Sequence, residues 1–102
     1  MVFVYIVQCN DGSYYTGYTT NIERRLQEHN QGLASKYTRG RRPVICVYHE
    51  ELSSKSEALK RELIIKKMTR GQKTRLIAGY SSKNDLIHKR DDNGKNIANK
   101  KC

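Results

Sequence analysis

Two apolar, aromatic-rich runs flank the tripeptide Asn10-Asp11-Gly12, and the way that turn closes constrains everything downstream. Residues 2–8 read as one strand and residues 14–18 as a second, rich in aromatic and β-branched side chains. A two-residue Asp11-Gly12 loop would pair Asn10 with Ser13 and send Tyr5 and Tyr15 to opposite faces. A three-residue loop is a type I turn closed by a residue in the left-handed region, which Gly12 accepts without Cβ strain. That loop pairs Val7 with Tyr15 and Tyr5 with Gly17. The two tyrosines then share one face, because strand side chains alternate with period two. The three-residue register is the preferred reading. Gly17 opposite Tyr5 would leave room above the ring.

A helix is expected next, because Thr20-Asn21-Ile22-Glu23 has capping-box spacing. Ile22, Leu26 and His29 fall on one helical face, with Arg25 beside His29 at i, i+4. Gly32 is placed to stop it. Spacing alone favours a core hairpin packed by this helix, with Arg25 and His29 as solvated rim residues.

Residues 33–43 form a loop holding Lys36, Arg39, Arg41 and Arg42 with no acid among them, and Tyr37 in their midst. Basic residues beside an aromatic suit phosphate contacts and base stacking; a plain exposed loop fits as well. Residues 44–48 are almost continuously apolar and predict a strand buried on both faces. His49 follows as an ordinary strand-end histidine. Residues 53–68 predict the longest helix, capped by Ser54 or Ser56. Its apolar residues Ala58, Leu59, Leu63, Ile65 and Met68 wrap much of the cylinder, and Glu62 falls among them. A carboxylate there needs an ion-pair partner, from Lys55, Lys66 or Arg25, or a bound cation. Gly71 breaks the pattern, and residues 73–78 predict a short last helix stopped by Gly79.

The order strand, strand, helix, basic loop, strand, helix, short helix gives an α+β domain: a three-stranded antiparallel sheet flanked by helices. It occupies residues 1–80. Residues 81–102 are rich in Lys, Asn, Ser and Asp and predict a disordered basic tail. The chain has 102 residues, enough for one domain, and carries 20 Lys and Arg against 10 acids, a net charge of +10. Such clustered positive charge is the footprint of a polyanion partner, most simply nucleic acid. No apolar run is long enough to span a membrane or to serve as a signal peptide, so a cytoplasmic protein is expected. Cys9, Cys46 and Cys102 show no C-x-x-C spacing, which supports neither a zinc site nor a thiol catalyst.

Tyr5-Ile6, then Tyr15-Thr16-Gly17, then Arg25 and His29, then Ala58-Leu59-x-x-Glu62, resembles the GIY-YIG nuclease superfamily in its small, single-domain, uncharacterised bacterial branch. The resemblance covers residues 2–73. Two positions depart from the pattern. Val4 precedes Tyr5 where the motif carries glycine, and Tyr18 stands where the excision-repair nuclease branch carries a catalytic-site lysine. The resemblance implies a divalent-metal-dependent endonuclease hydrolysing phosphodiester bonds in DNA, with a role in repair or recombination. It implies Tyr15 as base, Tyr5 and His29 assisting proton transfer, Arg25 holding the phosphate, and Glu62 binding Mg²⁺ or Mn²⁺. Lys36, Tyr37, Arg39, Arg41 and Arg42 are the expected nucleic-acid contacts, with RNA an open alternative to DNA. The missing lysine keeps a second class open: a nucleic-acid-binding module with this fold that cuts weakly, or only with a protein partner.

Overall fold

The computed structural model describes residues 1–88, with side-chain surroundings given for residues 1–80. The elements are β1 (Val2–Gln8), β2 (Tyr14–Thr19), α1 (Ile22–Asn30), α2 (Lys36–Arg39), β3 (Ile45–Leu52), α3 (Lys55–Lys66) and α4 (Arg70–His88). The three strands form one antiparallel sheet in the order β2-β1-β3.

The turn closes in the three-residue form. Cys9 N–H donates to the Ser13 carbonyl at 2.8 Å, Gly12 N–H donates to the Cys9 carbonyl at 2.8 Å, and Gly12 has φ +88°. Asp11 Oδ1 stiffens the loop by accepting from Ser13 N–H at 3.0 Å and Ser13 Oγ at 2.6 Å. The register is therefore Tyr5 against Gly17 and Val7 against Tyr15.

The buried central strand is β1, not the run at 44–48. Val4, Tyr5, Ile6 and Val7 are all buried, whereas Ile45 of β3 is exposed and β3 is an edge strand. The run at 44–48 is the edge partner of β1, and it carries a bulge. Ile6 pairs with Tyr48 and Val7 with Cys46, so Val47 is an extra residue that reverses the alternation. Tyr48 consequently joins Val4, Ile6, Ala58 and Ile65 on the α3 face. Cys46 joins Tyr5, Val7, Cys9 and Val44 on the other face, with Ile22 and Leu26 of α1 packed against them. A strand serving both cores reads as a continuous apolar run.

The caps explain where the helices begin and end. Asn21, not Thr20, caps α1: its Oδ1 accepts from Arg24 N–H at 3.0 Å. At the other end Leu33 N–H reaches the Glu28 carbonyl at 2.9 Å and Gly32 N–H the His29 carbonyl at 3.1 Å, with Gly32 at φ +82°. This is a Schellman closure. Ser54 caps α3, which buries Ala58 and Ile65 but leaves Leu59 and Leu63 exposed. Glu50 ties α3 to β3, accepting from Arg61 Nε at 2.9 Å and from the Tyr48 hydroxyl at 2.7 Å.

Gly71 does not interrupt the chain's helical content. Thr69 Oγ1 accepts from Gln72 N–H at 3.1 Å while Gln72 Oε1 accepts from Thr69 N–H at 2.9 Å, a reciprocal capping box that starts α4 across Gly71. The helix also passes Gly79 and runs to His88. It thus enters the segment expected to be a disordered tail; the remainder of that segment, residues 89–102, lies outside the described residues. Among the described residues no helix is long and apolar enough to cross a membrane.

Asn30 locks the basic segment to α1. Its Oδ1 accepts from Val44 N–H at 2.7 Å and its Nδ2 donates to the Val44 carbonyl at 3.1 Å. Asn30→Ala strands both polar groups of the buried Val44 and should lower stability by about 1–3 kcal/mol. Urea denaturation measures this, and a loss below about 0.5 kcal/mol would show that water replaces the clamp.

Candidate active site

Tyr5 projects from the middle of β1 and is 2% exposed. Its hydroxyl occupies the space that a side chain at position 17 would need: a Cβ built on Gly17 would lie 2.7 Å from the Tyr5 oxygen. Glycine is required there by close approach. The ring ends against α1, where the Tyr5 hydroxyl meets His29 Nε2 at 2.8 Å. The His29 ring is wholly buried, and its other nitrogen, Nδ1, meets Thr38 Oγ1 at 2.8 Å. Thr38, itself fully buried, lies 3.0 Å from Ser35 Oγ.

Tyr15 joins the group from β2. Its ring meets His29 edge-on at 5.3 Å between centroids, and Tyr5 meets the same imidazole edge-on at 5.7 Å. Both tyrosines therefore lie on one face and share one histidine. Tyr5 is sealed in, whereas Tyr15 is half-buried and keeps access to solvent.

Arg25, one turn before His29, is half-buried, and its Nη1 holds Glu28 Oε1 at 3.0 Å. Its Nε is buried with no hydrogen-bond partner. Neither Arg25 nor His29 is the solvated rim residue that spacing favoured. For His29 the reason is α2, which spacing had left as loop and whose Thr38 closes over the ring; Arg25 lies between Glu28 and the Tyr5 hydroxyl.

Burial pushes the Tyr5 hydroxyl up to about 12, against the opposing pull of the Arg25 guanidinium beside it. The charge of Glu62 on α3 adds the smallest of the contributions that raise it. Burial, assisted by Arg25, holds His29 down at about 4. At neutral pH the pair is a phenol and an uncharged imidazole.

Glu62 is paired with Lys66, at 3.4 Å, and its side chain is 15% exposed. Lys66 is the ion-pair partner that the sequence left open among three candidates. Among the described residues no three His, Cys, Asp or Glu side chains converge as a metal cage. A cation at Glu62 would have a single protein carboxylate, a donor set that fits Mg²⁺ completed by waters and substrate oxygens.

The basic segment divides into bound and free cations. Tyr37 stacks on Tyr15 at 6.0 Å and 23°, and the Arg41 guanidinium covers Tyr37 at 4.0 Å. Arg41 also bonds Asp11 at 3.0 Å and the Tyr37 carbonyl at 2.7 Å. Arg42 donates to the carbonyls of Arg39, at 2.9 Å, and Asn30, at 3.4 Å. Arg41 and Arg42 thus build the segment, while Lys36 and Arg39 are exposed. Arg39 lines an open pocket of about 470 Å³ with Asn30, Gly40, Arg42 and Pro43.

Sequence reasoning overlooked Thr38 and Ser35. A signal was present: Ser35-Lys36-Tyr37-Thr38 has cap spacing, and Ser35 Oγ indeed accepts from Thr38 N–H at 3.1 Å.

Comparison with known proteins supplies an independent line. The family profile described as GIY-YIG catalytic domain matches residues 1–75. A UPF0213 protein of Staphylococcus haemolyticus is 57% identical over 75 residues, spanning 74% of this chain and 92% of its own length. A UPF0213 protein of Clostridium perfringens is 51% identical over 89 residues, spanning 87% of this chain and 96% of its own. A solution NMR structure of an E. faecalis protein aligns with TM-score 0.53 and 46% identity, covering 78% of this chain and 84% of that one.

The His29 environment has a pH signature. Its folded value of about 4 lies below the ordinary value near 6.5. The stability it confers is therefore complete above about pH 6.5 and is lost as pH falls toward 4, by up to about 3 kcal/mol. Urea midpoints should fall over that window, and the His29 Cε1–H resonance should stay constant down to about pH 5. A ring that titrates near 6.5 would contradict the buried neutral imidazole.

Proposed function

The chain belongs to the GIY-YIG domain family, a nuclease-type family, and from that membership we propose that it is a divalent-metal-dependent endonuclease domain hydrolysing phosphodiester bonds in DNA. The observation that carries the reading is the convergence of Tyr5, Tyr15 and Arg25 on the single buried imidazole of His29. Phosphodiester hydrolysis by water needs a base at the water, a cation for the phosphate and a source of charge neutralisation.

The burial pattern divides the labour. Tyr5, held at about 12, stays a phenol at neutral pH and serves as a donor and positioner. Tyr15, with solvent access on the same face, is the residue that can approach a water, and His29 lies against both rings. Arg25 lies against the Tyr5 hydroxyl with its side chain 34% exposed, and the exposed part of the guanidinium is the donor that a phosphate oxygen would meet. Mg²⁺ or Mn²⁺ held at Glu62 would supply Lewis-acid charge to the phosphate oxygens. Because Lys66 is the partner of Glu62 and is half exposed, that pair adds only tenths of a kcal/mol to stability, and Lys66 can swing away.

A second reading, a binding module with weak or partner-dependent cleavage, is favoured by Tyr18 at the position of the missing lysine. Lys55 Nζ lies 6.0 Å from the Tyr18 ring centre.

Glu62→Gln separates the readings. For a nuclease, metal-dependent cleavage of duplex, flap or branched DNA should collapse by about 10²-fold or more. The melting temperature should barely move, since the lost pair is exposed at Lys66. Unchanged cleavage in the variant would remove Glu62 from the reaction; a wild type that cuts none of these substrates with Mg²⁺ or Mn²⁺ would favour the binding module.

Arg39 is the cation of the basic segment to test for phosphate contact, because its loss leaves the Arg41 and Arg42 hydrogen bonds in place. Arg39→Ala should flatten the log–log salt slope of DNA binding by about 0.9. An unchanged slope in fluorescence titrations would take Arg39 off the phosphate path.

A further inference from the structure

Thr38 has no place in the reaction outlined above, yet it is fully buried and makes the second hydrogen bond of the central imidazole. A neutral imidazole carries one N–H and one bare nitrogen, so the two contacts of His29 must have opposite polarity. At the Nε2 side, the Tyr5 phenol is buried and must place its own proton. The Arg25 guanidinium beside the phenol oxygen can only donate. Among the described residues, the acceptor within hydrogen-bond distance of the Tyr5 hydroxyl is His29 Nε2, at 2.8 Å. Nε2 is therefore the bare nitrogen, and Nδ1–H donates to Thr38 Oγ1 at 2.8 Å.

Thr38 can accept because its own proton has an outlet. Ser35 Oγ lies 3.0 Å away and the Ser35 carbonyl 3.5 Å away, both acceptors for the Thr38 hydroxyl. Ser35 is held in place as the N-cap of α2, so a four-residue helix orients the chain of hydroxyls.

We propose that Thr38 is a positioning residue that holds His29 in the Nδ1–H tautomer, so that Nε2 is kept as the acceptor of the Tyr5 proton. In the opposite tautomer Nε2–H would face the phenol oxygen together with Arg25, and the buried Tyr5 proton would lose its acceptor. Tyr5 would then swing away or draw in water, and the surface it shares with Tyr15 would change. The tautomer assignment stands on geometry alone; its consequence for cleavage rests on the nuclease reading.

Long-range ¹H–¹⁵N spectra of the full ¹⁵N-labelled chain, without substrate, read the tautomer directly. The wild type should show a protonated Nδ1 and a bare Nε2. Thr38→Val keeps the shape but removes the acceptor, and should move His29 to Nε2–H or a mixture; Thr38→Ser should restore the wild-type pattern. Thr38→Cys, a poor acceptor of similar size, replaces the valine variant if that does not fold. A wild type found as Nε2–H, or a valine or cysteine variant that keeps Nδ1–H, would overturn the assignment. On a DNA substrate that the wild type cuts, Thr38→Val should lower kcat on the order of 10²-fold with KM unchanged, and Thr38→Ser should recover it. A variant that shifts the tautomer but cuts at the wild-type rate overturns the catalytic consequence. A tautomer shift in a protein that cuts nothing would leave Thr38 assigned and remove the nuclease reading instead.

Discussion

The Tyr5 hydroxyl sits against His29 Nε2 in a space with almost no solvent, and that contact governs how β1, β2 and α1 come together. For the phenol to reach the imidazole, its strand partner must have no side chain, so position 17 is glycine. For the imidazole to stay buried and uncharged, its far nitrogen needs a hydroxyl, so α2 must bring Thr38 over α1. For α2 to sit there, the basic segment must return to the sheet at Val44, which the Asn30 side chain enforces. Each requirement follows from the cost of burying a polar group without a partner.

The sheet's other constraint is that β1 must supply two cores. Its even residues, Val4 and Ile6, meet α3, and its odd residues, Tyr5 and Val7, meet α1. The bulge at Val47 lets β3 supply both as well, with Tyr48 on one side and Cys46 on the other. A domain of this length has little apolar material, and a central strand buried on both faces uses it efficiently. It also places the polar group on one face, where a helix carrying Arg25 and His29 covers it, and leaves the other face for Ala58 and Ile65 of α3.

Legibility in the sequence differed by the range of the interaction. The hairpin register was readable because Asn10-Asp11-Gly12 is a local device whose closure sets every later pairing. Tyr5 and Tyr15 on one face followed from that register alone. The start of α4 was written as Thr69-x-x-Gln72 but was masked by Gly71, whose low helix propensity is a weak prior beside a reciprocal cap. The central position of β1 was not readable, because the bulge makes an edge strand look doubly buried. Leu59 and Leu63 looked like core for a related reason: helical periodicity shows which residues share a face but not what covers it.

What the sequence determined by itself is therefore the set of local decisions: the turn, the strand parity of the hairpin, the helix stop at Gly32, and the helical neighbourhood of Arg25 and His29. Only the tertiary structure decided that His29 is buried and neutral, that Thr38 is its second partner, that Glu62 pairs with Lys66, and that Arg41 and Arg42 are largely occupied while Arg39 is open. The physical reason is that turns and caps are satisfied within a few residues. Burial, ion pairing and the hydrogen bonds of an imidazole depend on which distant segments arrive to displace water, and no spacing rule within one helix or strand contains that information.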